Sequence, residues 1–430
     1  MIKVTHIITG LAPQGAEAML YKLILQMDRS AFANEVISLT NWHESYTDWT
    51  AVQKRLADSK VQVRALEMRR GMLSPAELVR LVQWIRRSKP DVVQTWMYHA
   101  NLIGGIAARF AGAPPVAWGI HHSNLEPKQN KRHTIWTAQA CARLSRTIPR
   151  RIICCSESSR RVHVDCGYAA DRIMVIPNGF DLRQFRPDPE ARSSLKHELG
   201  IPETARLIGI AARFHALKGY QYFIEAAARL CACIPDVHFL MCGRDVDGNN
   251  RELARWIHEA GSRLYGRCHL LGIREDMPRF FAAVDIATSA SISEAFPTAV
   301  GEAMACGTPC VVTDVGDCAV MVGNTGRIVP PGNAAALARG WSDLLAQDRG
   351  TLTQLGAMAR KRVEQRFGIK AVVEQYQQTY RELVCGRDKV EEANEPVLDV
   401  PYEAAVLAAV HELPGDTGTA VAADGERRVP

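Results

Sequence analysis

No run of about 18 consecutive apolar residues occurs in the 430-residue chain, so no segment reads as a membrane-spanning helix. The opening residues, Met1–Gly10, lack the long apolar stretch and small-residue cleavage site of a secretory signal and read as a first strand. The expected location is cytoplasmic. Twelve cysteines are present, yet none form a second half at zinc-like spacing: Cys154-Cys155 is a vicinal pair, and Cys231-x-Cys233 falls one residue short of CxxC. They read as free, mostly buried thiols of a reducing compartment. Aromatic residues are only 7%, and no nucleic-acid motif or aromatic-studded basic strip accompanies the charge, which argues against a nucleic-acid partner. A GxGxxG fingerprint is also missing.

What is there is ordinary globular material. Hydrophobic residues make up 47% and charged residues 23%, enough to bury sizeable cores, and the length favours two domains plus a tail. The net charge of +6 is unevenly spread. Residues 1–182 hold 24 Lys+Arg against 14 Asp+Glu, or +10; the remainder holds 28 against 32, or −4. Pairs such as Arg69-Arg70, Arg86-Arg87, Lys131-Arg132, Arg150-Arg151 and Arg160-Arg161 give the first half its basic character. Such a surface either keeps the protein soluble or meets an anionic membrane face or a phosphorylated acceptor.

Short β-branched runs alternate with amphipathic helical stretches: Val4–Ile8, Glu35–Leu39, Asp91–Thr95, Val116–Ile120 and Arg151–Cys155, with helical patterns such as Ala16–Met27, Pro75–Arg87 and Asn101–Phe110 between them. The alternation predicts a parallel α/β architecture. It pauses at residues 177–204, where Pro177-Asn178-Gly179 and Arg186-Pro187-Asp188-Pro189 read as turn and linker. It restarts with a strand at Leu207–Ala211. Two Rossmann-like halves follow: residues 1–182, then residues 183–369, with a final helix over 370–385 returning to the first half. Residues 386–430 read as a flexible tail, with a weak helix at 401–411.

The chemistry concentrates at strand ends. Between Ser289 and Cys310 a strand, loop and short helix carry Glu294, Phe296, Pro297, Thr298 and Glu302, and Gly307 stops the helix. The helix start is an anion site at the carboxyl edge of a sheet, and the two carboxylates suit vicinal hydroxyls. Arg213 ends a strand and Lys218 precedes the next helix; two cations there can stabilise a departing diphosphate without a metal. Gly15 opens the first helix after a turn. His121 and His122 end another strand. His99 follows the Asp91–Thr95 strand. Asp245-x-Asp247 lies among turn formers and reads as a turn rather than a metal motif.

The string Glu294-x7-Glu302, with Phe296-Pro297 inside it and Ala303-Met304-Ala305-Cys306-Gly307-Thr308-Pro309 after it, resembles the donor motif of family 4 retaining glycosyltransferases. The resemblance covers residues 1–385 and implies the GT-B fold. It implies that Glu294 holds donor-sugar hydroxyls, Glu302 holds the ribose, and the backbone of Phe296–Thr298 contacts sugar and phosphate. Arg213 and Lys218 become the diphosphate clamp, with Ala212 where the family often has glycine. Gly15 becomes a backbone donor to phosphate, with Gln14 where relatives have a first glycine. Either His121 or His122 faces the sugar. Ile273 and Arg274 meet the nucleobase. Ser156, Asn178 and His99 line the cleft, the last two on the acceptor side. No cofactor or metal is implied: the co-substrate is a nucleotide sugar, expected to be a UDP-sugar. The acceptor is a glycan or polyprenyl-linked glycan in surface polysaccharide assembly, and the basic half would touch the inner face of the membrane. The rival readings are a GT-B UDP-sugar epimerase and a non-catalytic sugar-nucleotide-binding scaffold.

Overall fold

The computed structural model describes residues 1–11, 15–40, 59, 61–68, 74–112, 114–127, 129–234 and 236–386. The Arg69-Arg70 pair, Gln14 and the tail beyond Gly386, including the helix expected at 401–411, lie outside the described residues.

The described residues form two parallel sheets. The first contains β1 (Ile2–Ile8), β2 (Phe32–Ser38), β3 (Gln62–Ala65), β4 (Val92–Trp96), β5 (Val116–Ile120), β6 (Arg151–Cys154) and β7 (Ile173–Val175) in the order β3-β2-β1-β4-β5-β6-β7. The second contains β8 (Arg206–Ala211), β9 (Val237–Cys242), β10 (Cys268–Leu270), β11 (Ile286–Ser289), β12 (Cys310–Thr313) and β13 (Gly326–Val329) in the order β10-β9-β8-β11-β12-β13. Central strands such as β4 and β5 are buried along their whole length, because helices cover both faces of a parallel sheet. The α/β expectation holds.

Local chemistry sets the helix ends. Ser74 accepts from the Glu77 N–H and Glu77 returns a bond to the Ser74 N–H, with Pro75 in the first turn, so Pro75–Ser88 starts on a capping box. Where the sequence reading placed only a linker, a helix forms at Ala191–Leu199. Leu195 is fully buried there, and Lys196 buries its stem while its ammonium reaches the Glu203 carbonyl at 2.5 Å. Three strands the reading did not mark, β3, β7 and β13, are only three or four residues long.

The chain passes between the sheets twice, and the two passages lie side by side. Phe180 N–H donates to the Phe367 carbonyl at 2.9 Å, and Ile369 N–H donates to the Phe180 carbonyl at 3.0 Å. The last helix, Ile369–Cys385, then packs on the first sheet: Tyr376 stacks on Trp96 with centroids 6.0 Å apart, and the Tyr380 hydroxyl donates to Gln94 at 3.2 Å.

Both strand orders reverse direction once, between β1 and β4 and between β8 and β11. Ligands of open α/β sheets bind outside the carboxyl ends of the strands at such points. The loops after β8 and β11 carry Arg213, Lys218 and Glu294.

Candidate active site

At the second sheet's reversal point the Lys218 ammonium forms an ion pair with Glu294 Oε1, to which the buried Ser291 hydroxyl also donates at 3.1 Å. The other carboxylate oxygen has no hydrogen bond among the described residues. Two glycines bring the loops this close. Gly219, at φ 68°, lies under the Ala290 carbonyl, and Gly316, at φ 57°, lies under the Glu294 carbonyl; a Cβ at either position would overlap those oxygens. Arg213 is exposed and has no ion pair among the described residues. A cation with no partner, beside a paired one, leaves positive charge available at this edge.

The helix Thr298–Ala305 begins at Pro297. Thr298 N–H turns back to the Phe296 carbonyl at 3.0 Å, and Val300 and Gly301 donate to the Pro297 carbonyl. This leaves the Ala299 N–H as the backbone donor at the helix start. The Phe296 ring is stacked on Phe180 and set edge-on to Phe367, so only its backbone faces the loop. Glu302 lies on the second turn. Its carboxyl has no hydrogen bond among the described residues, and burial pushes its pKa up to about 7, with the Lys22 ammonium acting the other way. Lys22 belongs to the helix Gly15–Gln26 after β1 and also reaches the Gly179 carbonyl at 3.3 Å.

The two histidines separate clearly. His121 stacks on Trp96, centroids 5.3 Å apart, and both its ring nitrogens are buried without a hydrogen bond among the described residues, as is Asn178 Oδ1. Burial pushes the His121 pKa down to about 4, the nearby Asn178 amide acting the other way, so the ring is neutral at pH 7. His122 instead bonds Asn130 Oδ1 at 3.0 Å and sets its ring edge-on to Tyr98. His99 lies 5.9 Å from His133, ring to ring, and burial lowers its pKa, with His133 adding to the effect. Gly15 is the exposed first residue of its helix.

Ile273 is 61% exposed. The Arg274 guanidinium is held by Asp276 at 2.6 Å and Glu198 at 2.8 Å, which leaves its backbone, not its side chain, for a ligand. The Asp245–Asp247 segment is a turn, with Asp245 at φ 60° and Asp247 Oδ1 accepting from the Asn249 N–H at 2.8 Å.

Sequence reasoning missed the residues that join the two sheets. The Ser123 hydroxyl donates to the Glu294 carbonyl at 2.6 Å and Asn124 Nδ2 to Ser293 Oγ at 3.1 Å. Asp317 accepts from the N–H groups of Glu157 and Ser158, both at 2.9 Å. Within the first sheet, Met97, held at φ 72° after β4, accepts the His121 N–H on its sulfur at 3.4 Å. The only signal was position: Ser123 and Asn124 follow the histidines, and Asp317 closes the motif that begins at Ser291.

Comparison with known proteins places the two halves of the chain in glycosyltransferase families. The Glycosyltransferase Family 4 model matches residues 13–184, and the Glycosyl transferases group 1 model matches residues 205–347. The UDP-Gal:alpha-D-GlcNAc-diphosphoundecaprenol alpha-1,3-galactosyltransferase of Escherichia coli is 29% identical over 244 residues, or 55% of this chain; the match spans 61% of that enzyme, less than two thirds of its length. EpsF of Bacillus subtilis is 25% identical over 324 residues, 73% of this chain and 79% of that one. Among solved structures, HepE of Anabaena, crystallised in complex with UDP, superposes with a TM-score of 0.75 at 24% identity, covering 89% of this chain and 100% of that one. The two parallel-sheet units are those of the GT-B fold.

Proposed function

The chain belongs to the GT-B glycosyltransferases of family 4, and we propose that it moves a sugar from a UDP-sugar to a glycan or polyprenyl-linked acceptor, with retention and without a metal. The observation that carries this reading is the pairing of Lys218 with Glu294 at the reversal point of the second sheet, beside the unpaired Arg213. Arg213 and Lys218 hold the diphosphate, with the Gly15 and Ala299 N–H groups adding donors. Glu294 takes donor-sugar hydroxyls on its free oxygen. His121, neutral and with both ring nitrogens unclaimed, meets the same sugar from the first sheet. Glu302 takes the ribose hydroxyls, and the backbone of Ile273 and Arg274 meets the base.

The acceptor approaches past His99 and Asn178. Its hydroxyl oxygen attacks the anomeric carbon on the face the diphosphate leaves. The bond from that carbon to the β-phosphate oxygen breaks, and the acceptor proton passes to that departing oxygen. Arg213 and Lys218 balance the charge that grows there.

A polyprenyl-linked acceptor fits the E. coli relative, whose name specifies a diphosphoundecaprenol substrate. It also fits the helix Arg132–Leu144, where Trp136 is 66% exposed beside exposed Lys131, Arg132 and Arg143. A tryptophan among cations suits the surface of an anionic bilayer, which would place the protein on the cytoplasmic face of the membrane in surface polysaccharide assembly.

The test is product formation. Purified protein is incubated with UDP-glucose, UDP-galactose or an N-acetylhexosamine donor and a set of polyprenyl-diphosphate glycans, with and without EDTA. The proposal expects one donor to yield an elongated lipid-linked glycan of unchanged anomeric configuration, insensitive to EDTA. Formation of an isomerised UDP-sugar without an acceptor would point to an epimerase instead, and binding with no product would leave a scaffold.

A further inference from the structure

The carboxylate of Asp317 has an uncommon place. Its residue is only 6% exposed, and no cation pairs with it among the described residues. Its two oxygens accept from Glu157 and Ser158, the first two residues of the helix Glu157–Asp165, which follows β6 of the first sheet. The third N–H of that helix, on Ser159, is taken by its own cap, Ser156, at 3.0 Å. A helix start supplies partial positive charge and unsatisfied N–H groups. Here a residue about 160 positions further along the chain fills them, so the bond links the carboxyl edges of the two sheets.

What lies beside this link gives it meaning. Gly316 is pressed under the carbonyl of Glu294, so the Asp317 turn and the Glu294 loop cannot move far independently. That same carbonyl accepts from Ser123 at 2.6 Å, the next carbonyl, of Ala295, accepts from Ser158 Oγ at 3.4 Å, and Ser293 accepts from Asn124. The segment 293–295, which carries the carboxylate paired with Lys218, is thus held from both sheets at once.

The geometry points to Asp317 as a positioning residue: its carboxylate is a clasp that joins the two sheet edges and sets the Glu294 segment against Lys218 only while the edges meet. This rests on the transferase reading above for its consequence, but the clasp itself is a matter of hydrogen bonds and is read separately. In a two-domain transferase such a clasp couples closure to the orientation of the group that holds the donor sugar.

The experiment compares the full chain with Asp317→Ala and Glu157→Pro. Proline is tolerated in the first turn of a helix, and here it removes one clasp donor without touching Asp317. Melting temperature establishes that each variant folds. Hydrogen exchange is followed in the peptides covering 157–160 and 291–297, because the amides of Glu157 and Ser158 have no intrahelical acceptor and owe their protection to Asp317. The clasp predicts at least tenfold faster exchange in both peptides for Asp317→Ala, and faster exchange of 291–297 in Glu157→Pro. UDP affinity, set mainly by Arg213, Lys218 and Glu302 on the second sheet's side, stays within about twofold, while kcat for transfer falls at least tenfold in Asp317→Ala with the donor KM little changed. Unchanged exchange at 291–297 overturns the proposal, as does a kcat equal to wild type once the amides are released. Equal losses of UDP affinity and kcat overturn it too, since Asp317 would then serve the donor pocket directly. A wild type that transfers no sugar, yet shows the exchange response, sinks the transferase reading and leaves the clasp standing.

Discussion

Moving from pH 8 to pH 6 should weaken UDP binding about tenfold through Glu302 alone. Burial has raised this carboxyl from its ordinary 4.5 to about 7, a penalty on the charged form of up to about 3 kcal/mol. Two ribose hydroxyls donating to the carboxylate return about 1.5–3 kcal/mol each, so the ionised form wins in the complex. Binding must then expel the proton that burial favours. The sign follows: above the raised pKa the site is already ionised and affinity is flat, and below it each pH unit weakens binding by about tenfold. Near pH 7 roughly half a proton leaves per UDP bound. Calorimetry in two buffers of different ionisation enthalpy reads that proton directly. The nucleotide's own phosphate titration is subtracted with Glu302→Gln, which keeps the shape and cannot ionise. Lys22 acts downward on the same carboxyl, so Lys22→Met should move the midpoint to higher pH. A wild-type profile parallel to that of Glu302→Gln, or binding without proton release, would refute the reasoning and remove Glu302 from the ribose.

Gly219→Ala should cost about 2–3 kcal/mol in urea unfolding, because the residue sits at φ 68° and a Cβ would overlap the Ala290 carbonyl; a loss under about 0.5 kcal/mol would contradict the close approach. Arg213→Ala should weaken UDP binding about tenfold, the worth of one charge-assisted hydrogen bond, with no change in melting temperature, since the guanidinium is exposed and has no ion pair among the described residues. A fall in stability without loss of affinity would make it a structural cation. Trp136→Ala should reduce sedimentation with phosphatidylglycerol vesicles about tenfold, from the apolar ring surface withdrawn from the bilayer. Equal sedimentation by the variant would move any membrane contact away from this helix.

What was legible in the sequence was what is local. The strand, turn and helix around Glu294 and Glu302 are contiguous, and so is the Arg213–Gly219 turn; each declares its place at a strand end through its own glycines and prolines. The alternation of apolar runs likewise reveals the two parallel sheets. The short strands β3, β7 and β13 escaped because three or four residues show too little periodicity. The helix Ala191–Leu199 escaped because the prolines just before it read as a linker, and only burial of Leu195 by the rest of the fold marks it as helix. His121 and His122 illustrate a further boundary. Adjacent residues at a strand end point to opposite sides, so spacing places both at the edge and says nothing of which one lies over Trp96. Arg274 has one partner two residues on, Asp276, but the second, Glu198, which completes the capture of its guanidinium, is 76 positions away. The same holds at the heart of the site. Lys218 and Glu294 are 76 positions apart, Ser123 and the Glu294 carbonyl 171. Lys218 and Glu294 were marked by their own segments, but their pairing and the bond from Ser123 were not. Their meaning arises only where the carboxyl edges of two sheets meet, and there the residues that hold the edges together are as much a part of the site as the carboxylates the motif displays.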